Sequence, residues 1–358
     1  MLYREVGQFK TSYTADEAIF PIAQDRWFTI AVLAFAFLVV PFLIDDYLTR
    51  AVMLPFLIFG LAAVGLNILT GYCGQLSLGT GAFLGVGAYS AFKLMAAFPE
   101  LNLAIDFLLA GLITAGVDML FGLPSLRIKG FYLAVATLAA QFFLVWLFYR
   151  WGWLRNYSAT GQITVTARDF FGVQITGPRA EPAATYLFTL GMVTVLTLGA
   201  KNLVRGAVGR SWMAIRDMDI AAELIGIRPL VAKLTAFGVS SFYIGVAGAM
   251  MFAIWLGAAE AGETFGIENS FLVLFMIIIG GLGTIVGSFL GSAFLVILPI
   301  VLKNVMVDWF GLAAGFAKNL EFVLMGLLII FFLILEPHGL ARLWQISKEK
   351  LRLWPFPY

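Results

Sequence analysis

Gly71-Tyr-Cys-Gly-Gln-Leu-Ser-Leu-Gly-Thr-Gly-Ala-Phe-Leu-Gly-Val-Gly-Ala-Tyr-Ser90 is the stretch whose reading decides the fold, with glycine at 71, 74, 79, 81, 85 and 87. Lipid offers nothing to an unpaired backbone group. Glycines at this density inside an apolar chain therefore imply a broken or tightly packed helix lining a protected path rather than one facing acyl chains. That is the pattern of a transporter.

The rest of the chain sets this stretch in a membrane. Of its 358 residues, 61% are hydrophobic and 12% charged, and its mean hydropathy is +0.94. Its apolar runs of roughly 20 residues match what a helix needs to cross a bilayer, so the fold class is an all-α polytopic membrane protein. Ten spans are expected: Trp27 to Ile44, Ala51 to Thr70, Gly79 to Ala97, Leu103 to Leu123, Gly130 to Tyr149, Ala184 to Val204, Ala232 to Leu256, Asn269 to Gly281, Thr284 to Lys303 and Asn319 to Leu335. The eighth is short and reads as half of a broken helix, joined to the ninth through Gly280-Gly-Leu-Gly-Thr284. The first 26 residues carry Glu5, Asp16, Glu17 and Asp25 and no apolar core, unlike a cleaved signal peptide.

Charge sets the expected orientation. With both termini inside, 15 of the 23 Lys and Arg residues fall in cytoplasmic segments, although Arg150, Arg155, Arg168 and Arg179 fall in a long outer one. A net charge of +2 marks no nucleic-acid surface. The single cysteine, Cys73, excludes an internal disulfide, and the single histidine, His338, excludes a His-rich metal site. No phosphate-binding loop of the Gly-x-x-x-x-Gly-Lys-Ser/Thr type occurs, so no cofactor is expected on this chain. Gly85-x-Gly87 and Gly281-x-Gly283 lack the strand-turn-helix setting of a dinucleotide site and read as packing glycines. Asp106, Asp118 and Glu321 stand singly near the membrane, and Lys93 reads as a snorkelling side chain.

Two regions carry candidate functional residues. Polar groups at membrane depth need partners, and those clustered among the glycines are Asn67, Tyr72, Gln75, Ser77 and Thr80. With Gly79 and Gly81, and with Gly281, Gly283 and Thr284 from the second glycine stretch, they make the expected translocation path. Leu78 to Gly85 and Leu282 to Gly291 read alike if two residues are inserted in the second, a hint of duplication that the chance recurrence of Gly, Ala and Leu also explains. The second region is the polar segment Gly209 to Pro229. Ser211 as a cap, apolar residues at 215, 218, 222 and 225, Gly226 as a stop and Pro229 predict one amphipathic cytoplasmic helix. Its acidic residues Asp217, Asp219 and Glu223 favour a protein partner over anionic lipid.

Five stretches in order then resemble one family: Gly71-Tyr-x-Gly-Gln-Leu-Ser-Leu-Gly79, Arg127-x-Lys-Gly-x-Tyr-Leu-Ala-Val-Ala-Thr-Leu-Ala139, Arg210-Ser-x-x-Ala-Ile-Arg-Asp217, Ile220-Ala-Ala-Glu-x-x-Gly-Ile227 and Gly280-Gly-Leu-Gly-Thr-x-x-Gly287. Together they look like the LivM-type permease subunits of branched-chain, or hydrophobic, amino-acid ABC importers. The resemblance implies a permease domain over 27–340, with a periplasmic segment 150–183 and a cytoplasmic coupling loop 205–229, flanked by cytoplasmic segments 1–26 and 341–358. It further implies a LivH-like sister permease, two LivG/LivF-like ATPase subunits that hold ATP and magnesium, and a periplasmic solute-binding protein. Residues matching the family's coupling helix are Arg210, Ser211, Arg216, Asp217, Ala221, Ala222, Glu223 and Gly226. Family members often read Thr-Gly-Gly-x-Asp-Gly in the outer loop, whereas Asn156-Tyr-Ser-Ala-Thr-Gly-Gln162 stands here. This departure leaves the solute open among hydrophobic amino acids, urea, short amides, aromatic acids and small carboxylates. An ion-coupled secondary transporter is the alternative reading, and a membrane enzyme fits poorly for want of clustered His, Asp or Glu.

Overall fold

A computed structural model describes residues 11–12, 18–20, 23–125, 132–158, 160–177, 180–309, 314–335 and 339–353. The helices used below are α1 (Ala23–Leu38), α2 (Leu54–Asn67), α3 (Thr80–Ala97), α4 (Leu103–Ser125), α5 (Tyr132–Arg150), α6 (Pro182–Arg205), α7 (Ala207–Asp217), α8 (Asp219–Leu224), α9 (Pro229–Met250), α10 (Ile267–Gly280), α11 (Ile285–Asn304), α12 (Ala314–Leu335) and α13 (Leu340–Leu353). Among the described residues, eight helices are long and apolar enough to cross a membrane. The other two expected spans are also helical: α3, diluted by glycine and Lys93, and α12. His338, and Arg127 to Phe131 of the second quoted motif, lie outside the described residues.

The core forms around α9, which packs against α2, α3 and α4 and continues through a π-helical turn, Met251–Leu256. Apolar burial gains little in lipid, so contact between helices rests on close packing, and glycine permits it. A Cβ added at Gly87 would lie 2.1 Å from the Gly245 carbonyl oxygen, and one at Gly248 only 2.0 Å from that of Leu84. The backbones of α3 and α9 thus touch directly. Where α4 meets α9, Ser241 donates a hydrogen bond to the buried Asp118. This gives the carboxylate that stands alone in the sequence a partner 123 residues away.

The eighth and ninth expected spans are not one broken helix. A Cβ at Gly280 would lie 2.0 Å from the carbonyl oxygen of Gly287, and one at Gly291 would lie 1.8 Å from that of Met276. Positions therefore pair in descending order on α10 and ascending order on α11, as in an antiparallel hairpin. Gly281 (φ 119°) and Gly283 (φ 73°) make its turn, in conformations that side chains rarely adopt.

The opposite end carries two short strand pairs. Strand β1 (Ile163–Thr164) pairs with β4 (Ala258–Ala259), and β2 (Arg168–Phe170) pairs antiparallel with β3 (Val173–Thr176). Arg168 fastens the second pair to the helices: its Nη2 donates to the carbonyls of Met95 (2.7 Å) and Phe98 (2.9 Å), which end α3. The same nitrogen lies 3.9 Å from Asp106 Oδ2, and Asp106 is fully shielded with no hydrogen bond to either oxygen. Lys93 points to this end, with Nζ 4.2 Å from the Trp153 ring.

The buried carboxylate depends on Arg168 for compensation. Arg168→Met should destabilise the protein by about 3–5 kcal/mol, the usual cost of stranding one half of a buried pair. Arg168→Met combined with Asp106→Asn should recover most of that loss, as read from thermal unfolding in detergent. Equal instability of the single and double variants would show that the carboxylate is not what Arg168 compensates.

Candidate functional site

Two glycine stretches some two hundred residues apart in sequence meet at one point, and Asn67 joins them. This last residue of α2 uses both ends of its amide. Its Oδ1 accepts from the Gly283 N–H at 2.8 Å, while its Nδ2 donates to the Thr284 carbonyl at 2.8 Å and to Ser288 Oγ at 2.9 Å. Thr284 in turn caps α11, its Oγ1 accepting from the Gly287 N–H at 3.2 Å and donating to the Gly281 carbonyl at 2.9 Å. Past Asn67 the helix widens into a π turn, Ile68–Tyr72, a form frequent at functional sites. Gly71 in that turn admits no side chain, since a Cβ would lie 1.9 Å from Asn67 Oδ1 and 2.3 Å from the Gly283 nitrogen.

The polar segment reaches this same junction. Arg216, near the end of α7, donates from Nη1 to the Gly71 carbonyl at 3.0 Å, and its Nε donates to Asp217 at 3.0 Å. Its stem passes Gly74, where a Cβ would lie 2.9 Å from Arg216 Cγ. The segment is anchored by Trp212, which is completely buried and donates from Nε1 to Thr235 Oγ1 at 3.2 Å. A pair between Lys233 and Asp219, at 2.7 Å, ties α8 to α9. Gly339, just before α13, also packs here, its would-be Cβ 2.6 Å from the Gly281 nitrogen.

The segment is two helices, not the single one expected. Met218 is extended (φ −162°, ψ 103°), and the break rotates the apolar stripe: Ile215 and Ala222 are buried, while Met218 and Ile225 are 63% and 75% exposed. Ser211 is not the cap. Gly206 precedes α7, and Ser211 Oγ donates to the Val208 carbonyl at 2.6 Å. Gly226 does end the helix, with φ 91° and the Ile227 N–H bonded back to the Ala222 carbonyl at 3.0 Å. Arg210, Ala221 and Glu223 are exposed on the surface.

The expected path residues do not all come together. Asn67, Gly281, Gly283 and Thr284 belong to the junction, and Tyr72 is buried in its π turn. Gln75 only turns back on its own loop, donating to the Cys73 carbonyl at 3.4 Å, and Ser77 accepts from the Gly79 N–H at 3.4 Å. Thr80 and Gly81 sit in a second cluster that the sequence reading missed. There Gln141 Oε1 accepts from the Ala82 N–H (2.6 Å) and from Ser270 Oγ (3.0 Å), and Ser270 Oγ accepts from the Gly81 N–H (2.7 Å). Gln141 Nε2 donates to the Phe265 carbonyl at 2.8 Å. A lone amide in the middle of the apolar α5 was the available signal.

The profile of a protein family described as "Branched-chain amino acid transport system / permease component" matches residues 48–333. The chain is 30% identical over 321 residues to the high-affinity branched-chain amino acid transport system permease protein LivM of Salmonella typhimurium, covering 83% of this chain and 70% of that one. To the Escherichia coli LivM it is 29% identical over the same shares. An autoinducer 2 import system permease protein, LsrC, of an Enterobacter species is 28% identical over 42% of this chain and 44% of its own. No solved structure matches the chain.

Removing the central amide tests the junction. Asn67→Leu leaves the Gly283 N–H without an acceptor, an omission that costs about 1–3 kcal/mol when the group is shielded. Purified variant protein should unfold at lower temperature, and transport should be lost with it. An unchanged melting temperature would mean that the turn holds without Asn67.

Proposed function

The chain belongs to the family of branched-chain amino-acid transport permease components, a multi-pass inner-membrane transport subunit of an ABC importer rather than an enzyme, and we propose that Arg216 carries the power stroke to its membrane path. The solute in this reading is a branched-chain or other hydrophobic amino acid, or a related small polar molecule. One observation carries it: the hydrogen bond from Arg216, on the polar helix pair, to the carbonyl of Gly71, inside the turn that Asn67 ties to Gly283.

In this mechanism α7 and α8 dock on a pair of ATPase subunits that bind ATP and magnesium. Met218, Ile220, Leu224 and Ile225 supply an apolar docking knob, 63%, 69%, 84% and 75% exposed respectively, beside the exposed Glu223. Knobs of this kind seat in grooves on partners. Closure of the ATPase pair shifts α7 and α8 together with the start of α9, to which Trp212 ties α7 and the Lys233–Asp219 pair ties α8. Arg216 then draws on the Gly71 turn, and the α10–α11 turn follows through Asn67. Small shifts at such a bistable contact switch access between the two sides.

The positive charge of the segment around Arg216 supports a cytoplasmic location for that end, which in this reading it shares with both chain termini. Segments 1–26, 205–229 and 341–358 are cytoplasmic and 150–183 is periplasmic in this arrangement, within a permease domain of 27–340. A LivH-like sister permease completes the path, and a solute-binding protein delivers the cargo to the end that holds β1 to β4.

Docking and transmission separate under mutation. Leu224→Asp should abolish co-purification of the ATPase subunits, because a charge replaces the most exposed apolar contact, while the isolated permease keeps its stability. Arg216→Ala should retain co-purification and ATP hydrolysis but lower the solute moved per ATP by tenfold or more in proteoliposomes. Wild-type coupling in the Arg216 variant would remove it from the transmission route.

A further inference from the structure

The last described helix, α13, returns to the foot of the first. It leaves the Gly281 turn at Gly339, buries Ala341, and meets α1 through two contacts. The Trp344 and Phe28 rings lie 5.7 Å apart, and Lys348 Nζ lies 2.7 Å from Asp25 Oδ1. These contacts set its level. Asp25 and Phe28 belong to the first two turns of α1, and Asp25 opens the apolar span Asp25–Leu43, in which no residue is buried. Thus α13 lies where an apolar helix with no buried residue enters the bilayer.

The composition of α13 suits that level. Leu340 to Leu353 holds Arg342, Lys348, Lys350 and Arg352 against the single acidic Glu349, interspersed with leucine and tryptophan. A basic helix that also carries Leu and Trp lies in the headgroup layer rather than in water or hydrocarbon. Leu343 and Trp344 are exposed, so neither is spent on the core, and the exposed Lys350 stands two turns beyond Leu343 on the same side. Beside them Trp27 and Phe28 of α1 are exposed as well. More positive charge gathers here. Arg26 is exposed, and Lys201, one turn from the end of α6, has its Nζ 3.6 Å from the Phe20 ring and lies within electrostatic reach of Asp25, Arg205 and Lys348.

We propose that α13 and the foot of α1 form an interaction surface for anionic phospholipid. Arg26 and Lys350 draw the headgroup phosphates, while Trp27, Phe28, Leu343 and Trp344 reach the acyl boundary. Two features make lipid the occupant. The surface runs directly onto a span with no buried residue, and its charge is opposite to that of the acidic α8, whose Asp219 and Glu223 repel anionic lipid. A lipid held here also braces α13 against the junction, since Gly339 packs on the Gly281 turn.

Melting of the full-length chain in neutral detergent, with phosphatidylglycerol or phosphatidylcholine added, tests the surface. Phosphatidylglycerol should raise the melting temperature and phosphatidylcholine should not, and the rise should shrink in high salt, which screens exposed charges. Arg26→Gln combined with Lys350→Gln should melt normally without lipid yet need about 25-fold more phosphatidylglycerol for the same rise, roughly fivefold for each cation lost. Arg26→Lys combined with Lys350→Arg keeps both charges and should keep the response. Equal stabilisation by the two lipids overturns the proposal, as does a response that survives high salt or the loss of both charges. The salt comparison uses the unaltered chain, so it decides the matter even where the neutral variant folds poorly. A response lost in the charge-keeping variant overturns it too, because shape rather than charge would then govern binding. The same rise with inorganic phosphate alone overturns lipid as the ligand.

Discussion

The amide of Asn67 is the interaction on which one end of the helix bundle depends. It closes one helix, α2, and at the same time fixes the turn between two others, α10 and α11. An amide suits this position because it presents an acceptor and a donor face in one rigid plane. A carboxylate would repel the Thr284 carbonyl, and an aliphatic side chain would leave a backbone N–H unmatched in a water-poor setting. Gly71 follows from the same geometry, since the amide oxygen occupies the space where a side chain would begin. The glycine that dominates the sequence is thus the counterpart of a single polar group four residues earlier.

Around this junction the protein uses two ways of holding helices together in lipid. One is bare contact, in which glycines let the backbone of α9 lie against that of α3. The other is a small set of buried polar groups that reach across helices, such as Asp118 with Ser241 and Gln141 with Ser270. Both depend on exact fit rather than on expulsion of water. Single-atom additions at Gly87, Gly248 or Gly291 would therefore force whole helices to move, because the obstructing atoms are backbone.

Much of this was legible from residue type. Apolar length marked the spans, and glycine density marked the tight turns at Gly71 and Gly281. What was not legible depended on contacts distant in sequence. The break at Met218 is invisible to periodicity because apolar residues keep helical spacing straight across it, at 215, 218, 222 and 225. It shows only in which apolar positions find a neighbour. Asp106 read as a lone carboxylate because Arg168 lies 62 positions away in a strand too short to announce itself. The hairpin of α10 and α11 and a broken single helix share the same local signal, Gly-Gly-Leu-Gly, and only the pairing of Gly280 with Gly287 separates them. Gln141 carries no glycine or charge beside it to mark it out, although an amide in hydrocarbon demands a partner just as firmly.

Cys73 follows the π turn directly, is the chain's only thiol, and is completely shielded from solvent. Thiol reagents act on the thiolate, which forms only where water reaches the sulfur. The unmodified chain therefore carries its own clock for opening of the junction: the rate at which a small reagent captures Cys73 measures how often Gly71 and its neighbours part. No cysteine need be added or removed, so the breathing of this end can be timed in the native sequence.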